Sequence, residues 1–307
     1  MVSQHVNYTR NSYVLETRGW LDAEEDCRYT EPTAEMRDTL SGHALSLDDR
    51  IDLAVNMPWI GTYISAKGAV TCFEDLREGW TLLKRGFLYY YWDCRIEARA
   101  ADFWDLSKIA PDEAFFGLAK HYARDGALGL ALGTPEATWL LEHVDSSLEN
   151  KCLGWLSDDF YAPYMLRLYR KLVGKADVTG VPSDPEGWEH PFVELVDNWD
   201  DGDSLAESIF RMCEYHMRWN RGDSPEHEAE FSAPYAILNP IEIHALEAIR
   251  RELGLATPQV EHELLQPPFY PVPDFVKNIS TEEILAEDDL LRRIIEVNQP
   301  WCDGLED

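Results

Sequence analysis

Neighbouring carboxylates and imidazoles are the side chains of this 307-residue chain whose types suit metal binding or proton transfer. These neighbours are Glu214 with His216, Glu242 with His244, and His262 between Glu261 and Glu263. Side chains two positions apart on a helix point to different faces, so such pairs do not easily share a metal ion. None of the nine histidines follows a glutamate by three residues, which argues against a ferritin-like di-metal site. We therefore predict no catalytic residue, no metal site and no cofactor.

Two other short segments resemble catalytic or ligand-binding motifs, but a structural role explains them better. Glu149-Asn150-Lys151 matches the end of a nuclease Asp…Glu-x-Lys set, but it lies within a helical pattern. The aromatic run 89–92 suits stacking on bases or sugars, yet it lacks the interleaved basic residues that hold a phosphate backbone. Large side chains filling a helical core explain this run better. Nucleotide-loop, nucleophile-elbow, HExxH and EF-hand motifs do not occur in the sequence.

Acidic clusters around aromatic residues are the feature that a neutral core does not explain. Acids at helix starts and in loops often serve only hydration and the helix dipole. Aromatic residues ringed by charge also suit a protein interface, and negative charge steers a basic partner toward it. We predict a partner interface at Glu194, Asp197, Trp199, Asp200, Asp201, Asp203, Asp223, Glu226, Glu228, Glu230 and Phe231.

The overall charge excludes several classes of partner. The chain has 57 acidic and 27 basic residues and a formal net charge of −30, and residues 177–307 hold 30 of the acids and only 8 of the bases. Such a surface does not neutralise phosphates, so we expect no direct binding of DNA or RNA. It also disfavours an anionic membrane surface, and no apolar run is long enough to span a bilayer.

The apolar residues repeat with a helical period almost throughout, and alternating strand patterns are scarce. Ser46 with Asp49 predicts one helix start, and Asn239 with Pro240 and Glu242 predicts another. The sequence thus predicts an all-α fold of antiparallel helical hairpins, forming a bundle or a short solenoid-like array. The predicted helices span 46–66, 70–100, 111–131, 135–147, 149–157, 162–174, 190–200, 203–220, 239–253 and 281–297.

A proline- and glycine-rich stretch at 177–191 suggests a boundary between two helical subdomains that share one core. We expect an N-terminal subdomain at 1–176, with an irregular start at 1–45. An acidic C-terminal subdomain at 177–307 should contain an extended segment at 266–275 and an acidic tail helix. The six widely spaced cysteines and the absence of a signal-peptide pattern predict reduced thiols and a cytoplasmic location.

The segment 235–255, YAILNPIEIHALEAIRRELGL, places an aromatic residue and a Pro-x-Glu helix start before an Ala-Leu-x-x-Ile-Arg stripe. This pattern resembles the C-terminal domain of PoNi-type immunity proteins, which protect bacteria from their own type VI secreted DNase toxins. The helix–Gly–helix stretch 115–133 is similar in style to helical immunity proteins. The resemblance, over about 110–265, implies an all-α, non-enzymatic inhibitor that binds a cognate toxin, often a basic nuclease.

Three functions remain open from the sequence. The first is an immunity protein that neutralises a basic toxin, in agreement with both the charge and the resemblance. The second is an enzyme in an α-barrel that uses two dispersed carboxyl groups, one with a raised pKa. The third is an acidic adaptor, a DNA mimic or a protein adapted to high salt.

Overall fold

The computed structural model describes residues 10–41, 44–103, 114–149, 160–178, 190–219, 231 and 233–305, and these residues are all-α, without a strand. The predicted fold class is therefore confirmed. The α-helices are α1 (Arg10–Glu25), α2 (Glu31–Thr39), α3 (Leu47–Thr71), α4 (Leu76–Ala100), α5 (Ala114–Ala131), α6 (Glu136–Glu149), α7 (Tyr161–Val173), α8 (Pro191–Asp197), α9 (Gly202–Trp219), α10 (Ile241–Glu252), α11 (Thr281–Glu287) and α12 (Asp289–Cys302).

The long helices α3 and α4 form an antiparallel hairpin held together at small residues. A Cβ atom added to Gly68 would lie 2.8 Å from the carbonyl oxygen of Gly79, and one added to Gly61 would lie 3.0 Å from that of Gly86. The partner's number falls as the residue number rises, so the two helices run in opposite directions. Glycine lets the two backbones approach more closely than any larger residue would.

The helix starts in the structure agree only in part with those predicted from the sequence. Ser46 and Asp49 form a capping box at the predicted start of α3, with the Ser46 Oγ accepting from the Asp49 backbone N–H at 3.2 Å. The prediction that Asn239 caps the start of α10 is wrong. Asn239 is fully buried, its side-chain amide has no hydrogen-bond partner among the described residues, and Pro240 takes the N-cap position of α10 without a side-chain bond.

A single apolar core runs from Tyr13 to Trp301 and joins the two halves of the chain. Polar bonds join them as well. The Tyr13 hydroxyl donates to the Pro234 carbonyl at 2.6 Å, and the Lys84 ammonium donates to the Ile279 carbonyl at 2.7 Å. Most of the boundary predicted at 177–191 lies outside the described residues, so the division into two subdomains stays a prediction.

Three local predictions are wrong. The irregular start at 1–45 contains α1, a π-helical turn at Asp26–Thr30 and α2, because distant contacts bury its few apolar residues, among them Tyr13 and Met36. Segment 266–275 folds in turns rather than extending, since Phe269 packs edge-on against Trp80 at a ring distance of 6.4 Å. The tail helix is broken at Asp288, whose carboxylate accepts from the Leu291 N–H at 2.9 Å and so caps α12.

The helix predicted at 149–157 lies almost entirely outside the described residues. Among the described cysteines, Cys72, Cys94 and Cys213 are buried and Cys27 is exposed, and none forms a disulfide. In the described ranges, no helix has the combination of length and apolar content needed to cross a bilayer.

Candidate protein-binding surface around helix α9

The loop between α8 and α9 is fixed by one buried tryptophan. The Trp199 ring lies between the Lys171 ammonium of α7, at 5.3 Å from the ring centroid, and the Arg250 guanidinium of α10, at 4.9 Å. The Trp199 carbonyl also accepts a hydrogen bond of 2.6 Å from Arg250. Cation–π contacts on a desolvated ring stabilise such an arrangement by about 1 to 2 kcal/mol each. Trp199 therefore attaches the acidic loop to α7 and α10 through its contacts with Lys171 and Arg250.

Four exposed aspartates surround this anchor, and two of them have structural partners. Asp197 forms an ion pair with Arg167 at 2.6 Å. Asp201 caps α9, since its carboxylate accepts from the backbone N–H groups of Asp203 and Ser204 at 3.1 and 3.2 Å. The hydrogen bonds from these N–H groups lower the pKa of Asp201. Asp200 and Asp203 form no ion pair within the described part of the chain, so their charges face solvent.

One face of α9 continues the acidic surface. Asp203, Glu207, Phe210 and Glu214 follow each other at i, i+4, i+7 and i+11, and all four are exposed. The opposite face, which includes Leu205, Ile209, Met212 and Cys213, is buried in the core. We call the exposed set Asp200, Asp203, Glu207, Phe210 and Glu214 the α9 acidic face. It presents carboxylates at fixed positions because the buried face anchors the helix.

Phe210 is an exposed aromatic side chain at the centre of this face. Its ring is 44% exposed and contacts His262 edge-to-face at a centroid distance of 5.2 Å. The Leu264 backbone N–H donates to His262 Nδ1 at 3.1 Å, which places the proton on Nε2 and lets Nε2 donate to the Glu214 carboxylate at 2.9 Å. Phe210 therefore rests on an imidazole whose orientation is set from both sides.

The residues predicted for the interface separate into three groups. Asp197, Asp200, Asp201 and Asp203 are exposed. Glu194, Trp199 and Phe231 are buried: Glu194 pairs with Arg211 at 2.6 Å, and Phe231 stacks on His216 at 4.0 Å. The others, Asp223, Glu226, Glu228 and Glu230, lie outside the described residues. Trp199 and Phe231 thus support the surface from the core instead of presenting rings to a partner.

Phe210 and Glu207 do not stand out in the sequence, and Glu214 stands out only as a neighbour of His216. The signal that would have found them is the helical spacing of acids around an apolar residue on the face opposite Leu205 and Ile209. A lone aromatic residue among acids in a helix is easily assigned to the core.

The carboxylates and imidazoles that are neighbours in the sequence do not bond to each other. Two of the imidazoles bond instead to carboxylates on other elements. His216 of α9 meets Glu242 of α10, with Nδ1 2.8 Å from the carboxylate, and both side chains are fully buried. The other ring nitrogen, Nε2, faces the carbonyl oxygens of Ala236 and Ile237 at 3.0 and 3.2 Å. Carbonyls only accept, so Nε2 carries a proton. The pair fastens α9 to α10 and to the preceding turn.

A second buried group of acids lies between α4 and α5. Burial raises the pKa of Asp93 well above its usual range and raises those of Glu97 and Asp125 to about 7. Glu97 and Asp125 raise the pKa of Asp93 further, whereas Arg124 partly offsets the effect of burial on Asp125. One oxygen of Asp93 and one of Asp125 accept no hydrogen bond from the described residues. These carboxyl groups hold protons close to neutral pH.

No described group of three or more His, Cys, Asp and Glu side chains is arranged to hold a metal ion. The described residues thus include an exposed acidic face on α9 and a buried set of carboxyl groups between α4 and α5. No protein-family model, curated protein or solved structure matches the chain.

Proposed function

We propose that this protein is an inhibitor of the immunity type, which binds a basic toxin protein in the cytoplasm and neutralises it. The observation that carries the proposal is the α9 acidic face, where exposed carboxylates surround a 44% exposed Phe210. A half-exposed aromatic residue on a rigid element is the usual form of an energetic anchor, and a charged rim supplies steering. A nuclease with a positive substrate groove is the partner whose charge this surface complements.

The net charge of −30 extends this attraction beyond direct contact. Potentials of several kT around a strongly charged protein accelerate association with an opposite charge, and salt screens them over about 10 Å at 0.1 M ionic strength. A toxin made in the same cell would be captured rapidly. The affinity itself would depend on the contacts of Phe210 and its neighbours more than on the net charge.

The first test is co-expression with the product of the adjacent gene, because immunity genes lie beside their toxins. We expect an equimolar complex in size-exclusion chromatography at low and moderate salt, together with loss of the neighbour's toxicity. A stable monomer that forms no complex with a toxic neighbour would contradict the proposal.

Charge reversal then tests the surface itself. Asp200→Lys with Asp203→Lys should slow association with the toxin about tenfold at low salt and flatten the dependence of the rate on salt. Glu78→Lys with Glu287→Lys is the matched control, since both are exposed acids on other helices and the net charge changes equally. Equal rates for the two double variants would remove the α9 acidic face from the interface. Asp201 is left intact because it caps α9.

A second candidate, acid–base catalysis, is supported by the raised pKa values of Asp93, Glu97 and Asp125. A catalyst would neutralise a toxin in substoichiometric amounts and would need these carboxyl groups. A binder acts only at equimolar amounts and tolerates Asp125→Asn. Titration of toxicity against inhibitor concentration, with the native protein and Asp125→Asn, separates the two candidates.

A further inference from the structure

Three N-terminal elements bring four aromatic rings together on a surface remote in sequence from α9. Trp20 comes from α1, Tyr29 from the π-helical turn, and Trp59 and Tyr63 from α3. Tyr29 stacks on Tyr63 at a centroid distance of 5.1 Å, and Trp20 lies 6.5 Å from the same ring. A π-helical turn carries one more residue per hydrogen-bonded ring than an α-helix and so redirects the side chains that follow it. Here the turn directs Arg28 and Tyr29 toward α3.

Much of this aromatic surface faces solvent. Trp59 is 44% exposed and Tyr29 is 37% exposed, while Val55, one helical turn before Trp59, is 57% exposed. Tryptophan, tyrosine and arginine are the residues most enriched at the energetic centres of interfaces. The described residues leave Trp59 and Tyr29 partly uncovered, whereas Tyr63 is buried and Trp20 is half-buried beside them.

Arg28 shows which chemical group the rings accept. Its guanidinium carbon lies 4.4 Å from the centroid of Trp59 and 5.4 Å from that of Trp20. Outside the rings, the Arg28 Nε donates to the Glu24 carboxylate at 2.7 Å, in a pair whose side chains are 28% and 30% exposed. A partly exposed pair of this kind contributes about 1 kcal/mol or less, so displacing Arg28 costs mainly its contacts with the two rings, which an incoming guanidinium would restore.

The charge around the rings favours a cation in the same place. Burial raises the pKa of the Tyr63 hydroxyl, and the negative charges of Glu25 and Asp22 raise it further. Asp26 and Asp52 are exposed on the adjoining turns of the chain. Negative potential and aromatic faces both attract a guanidinium, which is flat and weakly hydrated.

We propose that Trp20, Tyr29, Trp59 and Tyr63 form a docking site for an arginine side chain of a partner protein, which replaces Arg28 on the Trp59 ring. We call this set the Arg28 aromatic surface. It belongs to α1, the π-helical turn and α3, and it shares no residue with the α9 acidic face. The proposal for the Arg28 aromatic surface therefore does not depend on whether the α9 acidic face binds a toxin.

The test uses the intact protein and two short peptides. One peptide has the sequence Gly-Arg-Gly-Arg-Gly, and the other replaces each arginine by the neutral isostere citrulline. Binding is followed by the indole N–H resonances of Trp20 and Trp59, assigned with Trp20→Phe and Trp59→Phe. We expect saturable shifts of both resonances with the arginine peptide, and binding about fivefold weaker with the citrulline peptide.

Two substitutions should act in opposite directions. Arg28→Ala vacates the rings and should tighten binding of the arginine peptide about fivefold, whereas Trp59→Ala should abolish the Trp20 shift. Arg18→Ala removes the same charge from α1 and serves as the control for electrostatics. Phe103→Ala is the control for Trp59→Ala, because Phe103 is another exposed ring, with the Arg99 guanidinium 5.1 Å from its centroid.

Several results would overturn the proposal. Equal binding of the arginine and citrulline peptides would show that the rings do not select a cation. If Arg28→Ala and Arg18→Ala raised the affinity for the arginine peptide equally, the change in net charge alone would explain the increase. Loss of the Trp20 and Trp59 shifts in the Asp200→Lys, Asp203→Lys variant would place the peptide on the α9 acidic face instead.

Discussion

At the scale of single residues, several buried ionisable groups in this protein are paired with partners on other elements. His216 of α9 contacts Glu242 of α10 at 2.8 Å, and Arg170 and Lys175 both contact Asp145 of α6, which is 1% exposed. A buried charge that loses its partner keeps the whole cost of its desolvation. Such pairs therefore fix which helices lie next to each other more firmly than they raise stability.

The burial of the His216–Glu242 pair leads to a prediction about stability. His216→Ala leaves a fully buried Glu242 without the imidazole, and we expect the free energy of unfolding to fall by about 3 kcal/mol. Glu207→Ala, on the exposed side of α9, should change it by less than about 0.5 kcal/mol. Urea unfolding followed by circular dichroism measures both. Similar midpoints for the two variants would mean that the pair contributes nothing specific.

These partners were not predictable from the sequence, although the residues were. Glu214, His216, Glu242 and His262 stand out as chemistry-bearing neighbours along the chain, and each then bonds to a residue far away in sequence. Local spacing indicates which face of a helix a side chain takes, but not which other helix lies opposite. The same limit explains Trp199 and Phe231, whose aromatic character suits an interface and a core equally well.

At the scale of elements, the close approach of α3 and α4 depends on glycine. Gly68→Ala would place its Cβ 2.8 Å from both the Gly79 carbonyl oxygen and the Leu83 nitrogen, which are backbone atoms that cannot rotate away. We expect a loss of about 1 to 3 kcal/mol in the free energy of unfolding, despite the better helix propensity of alanine.

Gly19→Ala is the matched control for this prediction. Gly19 also lies within a helix, but an added Cβ would meet nothing within 4 Å. This substitution should raise the free energy of unfolding by about 0.5 to 1 kcal/mol through helix propensity alone. Thermal unfolding of both variants gives the comparison, and a stabilising Gly68→Ala would show that the hairpin can open without cost.

The sequence predicts long amphipathic helices well and short, anchored ones poorly. The helices α4, α7 and α9 lie within about three residues of prediction at most ends, because their apolar faces are continuous. By contrast, α1 and α2 have few apolar residues and were not predicted. Their stability comes from contacts such as the Tyr13 hydroxyl on the Pro234 carbonyl. Tertiary packing, and not local propensity, keeps these segments helical.

At the scale of the whole molecule, three acids between α4 and α5 make stability depend on pH. Burial raises the pKa of Asp93, Glu97 and Asp125, to about 7 for Glu97 and Asp125. Their ordinary values lie near 4. The folded state therefore binds more protons than the unfolded state between about pH 4 and pH 7.

Stability should consequently fall as the pH rises through this range, since ionisation of the buried acids is easier in the unfolded chain. His244 opposes this trend below about pH 6.5, because burial lowers its pKa to about 3 and the unfolded state then binds the extra proton. Above about pH 6.5 that opposition ends, so the effect of the carboxyl groups is seen most cleanly between about pH 6.5 and pH 8.

We expect the urea midpoint of the native protein to decrease from about pH 6.5 to about pH 8 at constant ionic strength. Asp125→Asn keeps the shape of the side chain, removes its ionisation and should reduce this decrease, although Asp93 and Glu97 remain. Asp52→Asn, at an exposed position of α3, should leave the decrease unchanged. A midpoint that rises over the same interval would mean that Asp93, Glu97 and Asp125 are ionised without cost in the folded protein, and that water reaches the space between α4 and α5.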